Sequence, residues 1–354
     1  MRTFSHPGYK RFLLSVGCLL SIHFTALFFL TLFRLVFFFS ANYDFPDQEH
    51  VGFMSIWPAF IRGVWFDNVI ACYILLIPLV AVSISALFNY YGKILWNVTC
   101  IFFSLFYGIV LLVTAANIPY FQYFFKIINS SVFNWFGYMN TTAGMVFGET
   151  SYYPPLIGFL LTLVLFIWLM RRLIRHFQRL LNTKNPSVFW LDRIYIFLTA
   201  CICIGLCLFG IRGRTGYNPI KVSAAYYCTD PFLNQLGISP VFNLLSSTLD
   251  DSRKENQYLH LMPENEALEN TRHYLNRPGI EGISPIARQI NASDSLRRPN
   301  IVLIFMESMS AHLMKRFGQQ KELTPFLDSL YRQSLAFSNF YSSGIHTNHG
   351  MYAT

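Results

Sequence analysis

Over the first two thirds of the chain the apolar residues neither alternate nor recur at helical spacing; they run on almost unbroken. Five such runs, at about 12–39, 69–88, 94–116, 155–170 and 194–211, approach or exceed the twenty residues that a helix needs to cross a bilayer. Polar and charged residues gather between the runs, as they do in the connections of a helical bundle. The pattern predicts a transmembrane domain over residues 1–211. The first run follows Lys10 and Arg11 as a signal peptide would, but it is too long for a signal core and no small-residue cleavage site follows it. It is read as a retained span.

After residue 211 the pattern changes twice. Residues 212–298 hold turn-rich pieces and an acidic, polar stretch with leucines at helical spacing, and are read as a linker with a surface helix. From residue 299 a new composition begins. Six consecutive apolar residues, 301–306, lie between Pro299 and Glu307, the pattern of a strand buried on both faces of a parallel sheet. Residues 308–317 have helical spacing. Thr324 and Pro325 then predict an N-cap and first turn, with Phe326, Leu327 and Leu330 facing inward, and 335–343 alternate like a strand edge.

Composition supports a membrane protein. The chain of 354 residues is 53% hydrophobic and 18% aromatic but only 13% charged, where a soluble domain carries about a quarter. The net charge of +9 invites a nucleic-acid reading, but the distribution excludes it: the basic excess lies mostly among the spans. With the N-terminus inside, the inner side receives Arg2, Lys10, Arg11, Lys93, Arg171, Arg172, Arg175, Arg179, Lys184 and Arg193, and the short outer loops only Arg62 and Lys126. Five spans then leave everything after Arg212 on the outer face. Arg34, near the outer end of the first run, is read as a snorkelling anchor. Six of the seven cysteines lie within apolar runs, so no disulfide framework is implied. The long outer loops 40–68 and 117–154 are aromatic and are read as an interfacial collar. The spans show almost no interior charge, which argues against a transporter.

Two residues carry candidate chemistry. In open parallel sheets ligands bind beyond the carboxyl ends of strands, which makes Glu307 a candidate metal ligand. Thr347 lies in the small, polar turn before an apparent helix, where N–H groups attract phosphate, and a threonine hydroxyl needs a metal or a base to become nucleophilic. Taken alone, a strand-end glutamate is as easily a salt-bridge partner, and a loop threonine an ordinary turn residue. His346 and His349 flank Thr347 without compelling a metal role.

With these residues on the page, the chain resembles the lipoteichoic acid synthase-like membrane proteins. The resemblance rests on five spans, an outward linker, NIVLIFMES, ELTPFLDSL and FSNFYSSGIHT, with RGVWFDN, GIRGRTGYNPI and NQLGISPVFNLL as further likenesses. It implies a five-helix transmembrane bundle followed by the start of an extracytoplasmic α/β sulfatase-like domain of the alkaline phosphatase superfamily, residues 299–354. By resemblance, Glu307 and Thr347 would hold one divalent metal ion, Mn²⁺ or Mg²⁺, or Zn²⁺ as in related phosphoethanolamine transferases. Thr347 would be the catalytic nucleophile. The implied reaction moves phosphoglycerol from a membrane phospholipid to an extracytoplasmic glycan or polymer, at the bacterial cytoplasmic membrane.

A sulfatase proper is disfavoured, because Thr347-Asn348-His349-Gly350-Met351 lacks the C/S-x-P-x-R context of formylglycine formation. The family's remaining ligands, an Asp-His pair, and its phosphate-binding histidine lie downstream of the threonine. The 354-residue chain alone is therefore expected to be inactive, with a phosphoethanolamine transferase or a non-catalytic membrane protein as the alternatives.

Overall fold

The structure is a computed structural model and describes residues 6–41, 53–181, 190–253, 261–275, 300–306, 309–337, 339, 341 and 350–351. It divides into two compact units, residues 1–261 and 262–354. Within the first, five helices are long and apolar enough to cross a membrane: α1 (Pro7–Ser40), α2 (Phe53–Leu87), α3 (Lys93–Phe124), α5 (Tyr153–Leu181) and α6 (Trp190–Arg212). A short helix α4 (Met139–Gly148) follows a 3₁₀ turn, Ser130–Tyr138. Helices α7 (Pro231–Leu236) and α8 (Pro240–Asp251) come after the last span.

The first three long helices bury aromatic and aliphatic side chains, among them Phe12, Phe66, Trp96, Phe103 and Tyr107. By contrast α5 and α6 turn large apolar residues outward, such as Leu161 at 67%, Val164 at 68% and Leu206 at 65% exposed. Apolar helices with apolar outer faces have lipid as their natural solvent. The helices also overrun the apolar stretches: α2 begins at Phe53, so the RGVWFDN segment is helical rather than part of an outer loop, and α3 continues to Phe124.

Within the segment 212–298, read as a linker, residues 213–251 pack on one end of the bundle. Phe232 of α7 enters between Phe37 and Phe121, with ring centroids 5.7 and 5.6 Å away, and Phe66 meets Phe242 of α8 at 4.9 Å. Asp230 caps α7 by accepting from the Leu233 N–H at 2.8 Å, with Pro231 in the first turn. Asn234 accepts from the Tyr227 N–H at 2.9 Å and donates to Cys228 O at 2.7 Å, closing the turn before the helix. Gln235 accepts from Ile127 N–H and Asn243 donates to Ile128 O, so the turn after α3 is held by the same cap.

Arg34 is the main correction among the spans. It does not snorkel: it is 5% exposed and donates to Asp67 Oδ2 at 2.6 Å, to Ile238 O at 3.1 Å and to Leu236 O. A guanidinium has five donors, and here a carboxylate and two carbonyls use three directions at once. Interior charge is therefore present, contrary to the reading of the spans. At the opposite end Arg11 donates to Leu181 O at 2.9 Å, and Asp192, fully buried, pairs with His6 at 2.8 Å.

The second unit contains the helices Glu264–Leu275 and Pro325–Gln333 and the short 3₁₀ turns Ala311–Leu313 and Lys315–Phe317. The buried strand expected at 301–306 is not formed: these residues are 46 to 88% exposed, and no strand occurs among the described residues. A strand is buried on both faces only by neighbouring strands and the helices over them. The expected helix over 308–317 is likewise replaced by the two 3₁₀ turns. Phe326 and Leu330, expected inward, are 75% and 47% exposed.

Candidate functional site

The two site residues read from the sequence, Glu307 and Thr347, lie outside the described residues, as do His346 and His349. Their neighbours are described. Phe305 stands two residues before Glu307, and Gly350 three after Thr347. A methyl group at Gly350 would come within 3.1 Å of Phe305 Cζ, so the ring and the glycine backbone are in contact.

The TPFLD string between them forms a staple. Thr324 precedes helix Pro325–Gln333 as expected, yet its hydroxyl makes no cap bond; it donates to Asp328 Oδ2 at 3.1 Å and to Leu313 O at 3.3 Å. Asp328 also accepts the N–H groups of Lys315 at 3.2 Å and Arg316 at 3.3 Å, fastening the 3₁₀ turn to the helix start. Loss of hydration opposes ionisation of Asp328, but these N–H donors, the Thr324 hydroxyl and Arg332 outweigh it and hold the carboxyl below its ordinary value. Lys315 bonds Glu322 at 2.7 Å and lowers that carboxyl too. The aspartate of this motif thus holds local structure.

Among the described residues no group of three or more His, Cys, Asp or Glu is arranged to hold a metal. Against this geometry the comparisons are informative. Residues 299–354 match the Sulfatase family model. The matched segment includes the Phe305–Gly350 contact and both candidate residues. The chain thus has an apolar five-helix bundle followed by a segment similar to the Sulfatase family, a family that generally uses a divalent metal. Neither a curated protein nor a solved structure matches the chain.

Sequence reasoning missed the polar residues that organise the bundle. Asp67, Asn117, Asn234 and His23 are all buried, and each has a hydrogen-bond partner at least six residues away in sequence. Of these only His23 lies within an apolar run of the sequence, a signal that marks a buried polar group but not its partner; Asp67, Asn117 and Asn234 fall outside the runs and carried no such signal.

Proposed function

We propose that the protein is a membrane-anchored transferase of the sulfatase superfamily that moves a phosphoalcohol, phosphoglycerol, from a phospholipid to a glycan or polymer outside the bacterial cytoplasmic membrane. The observation that carries this reading is the match of residues 299–354 to the Sulfatase family, on a chain that also has five helices long and apolar enough to cross a membrane. Glu307 and Thr347 both lie within the matched segment.

Both are oxygen donors, the chemistry that hard divalent cations such as Mn²⁺ and Mg²⁺ take, and Glu307 and Thr347 would hold such an ion. Bound there, it would acidify the hydroxyl and screen phosphoryl charge. Thr347 Oγ attacks the phosphorus of the headgroup phosphodiester. The bond from phosphorus to the diacylglycerol oxygen breaks, and diacylglycerol leaves with the threonine proton. An acceptor hydroxyl then attacks the phospho-threonine, the bond from phosphorus to Oγ breaks, and Thr347 takes back a proton as the acceptor loses one. The inward-facing N-terminus, with ten basic residues inside against two outside, supports an outer location for this segment.

The test is diacylglycerol release from labelled phosphatidylglycerol by the protein in its own membranes. Thr347→Ala and Glu307→Ala are each expected to abolish release without changing membrane insertion. Release that persists in Thr347→Ala overturns the reading.

A further inference from the structure

A cleft of about 400 Å³ opens on the side of the bundle between α1, α2 and α6. Its floor is one face of α2, from Trp65 through Asn68, Cys72 and Leu75 to Leu79; the fourteen rises of 1.5 Å between its ends make a trough of about 21 Å. Leu20 of α1 and Leu206 of α6 stand at its rim, 41% and 65% exposed, so the trough faces the surroundings of the bundle. None of its lining residues is charged.

One polar pair interrupts the apolar lining. His23 Nε2 and Asn68 Oδ1 are 3.0 Å apart, which fixes the amide. The Asn68 Nδ2 group then points past Gly210, where a methyl group would lie 3.7 Å from it, and it has no acceptor among the described residues. His23 is 5% exposed and its ring lies beside the Ala71 backbone. Polar groups left unpaired in apolar surroundings are costly, and such groups within a membrane mark binding sites.

The depth of this pair says what would satisfy it. Helix α6 has 23 residues, about 34 Å, the thickness of the hydrocarbon layer, and ends at Arg212. Gly210 is two residues inside that end, so the free amide lies just below the hydrocarbon boundary, the level of the acyl ester carbonyls of a glycerolipid. Trp65, whose indole donates to Gly213 O, sits at the mouth as tryptophans do at the headgroup level.

We propose that this cleft holds one acyl chain of an ester-linked glycerolipid, with the ester carbonyl accepting from Asn68 Nδ2, the chain lying along α2 and the headgroup outside the uncharged trough. That the lipid is the phosphoalcohol donor rests on the transferase reading; the binding site itself does not.

The experiment reconstitutes the protein in nanodiscs with dioleoyl phosphatidylglycerol or its diether analogue, extracts it mildly and counts retained lipid by native mass spectrometry. The protein is expected to keep one ester lipid and to prefer it over the ether by up to about ten-fold, the range of one hydrogen bond. Asn68→Leu is expected to erase the preference and Leu206→Trp, at the exposed rim, to displace both lipids. Equal retention of ester and ether lipids by the unmodified protein overturns the proposal, and this comparison stands even if Asn68→Leu fails to fold. In Thr347→Ala the ester preference is expected to persist. Headgroup release by that variant would sink the transferase reading and leave the lipid site intact.

Discussion

Arg34 and Asp67 form a salt bridge of 2.6 Å with side chains only 4% and 3% exposed, and the same guanidinium reaches the carbonyls of residues 236 and 238 beyond the last span. One side chain thus ties α1 to α2 and both to the cap over the end of the bundle. Gly63 is part of the arrangement, because a methyl group there would collide with the guanidinium. Removing one partner strands the other charge in a dry interior. Asp67→Ala is expected to destabilise the purified protein by about 3–5 kcal/mol, whereas Arg34→Met with Asp67→Leu recovers much of that loss. Thermal unfolding in detergent, followed by circular dichroism, measures both; a double variant as unstable as the sum of the two singles would contradict it.

Gly213 ends α6 with φ +73°, its N–H bonded to Phe209 O at 3.1 Å. This is the left-handed cap that glycine adopts without penalty, and an added methyl would also lie 2.7 Å from Ile220 Cγ2. Gly213→Ala is therefore expected to cost at least about 1–2 kcal/mol. Limited proteolysis should then cut residues 213–251 sooner than in the unmodified protein.

Asp328 gives a pH dependence with a definite sign. Its folded-state pKa is depressed below 3.8, so its contribution is present above that value and is lost as pH falls through the lower folded value. Hydrogen exchange at the Lys315 and Arg316 amides is expected to be protected at pH 5 and to lose protection only as pH falls below the ordinary aspartate range. Asp328→Asn should make their exchange insensitive to pH in that range; an unchanged profile would show that the carboxylate does not hold this turn.

Metal removal probes the proposed reaction directly. Chelation is expected to stop diacylglycerol release and Mn²⁺ or Mg²⁺ to restore it, while Thr347→Ala stays inactive at any metal concentration. Restoration by Zn²⁺ alone would favour phosphoethanolamine transfer. Release that is indifferent to chelation would exclude the metal-assisted route.

Fold and site were legible to different depths. The spans could be read because crossing a bilayer is a local demand: about twenty apolar residues suffice whatever the rest of the chain does. The apolar run 301–306 was legible as a pattern but not as a buried strand, because burial belongs to the neighbours that cover it. Glu307 and Thr347 were singled out by residue type and by resemblance, and both positions fall inside the matched segment.

The sequence by itself determined the membrane class and the number of spans, because both follow from hydrophobicity over short windows. Tertiary structure alone decided the fate of the polar residues within those windows. Arg34 would indeed snorkel if it faced lipid; it is buried because Asp67, 33 positions away, and two carbonyls more than 200 positions away converge on it and replace the water it would otherwise seek.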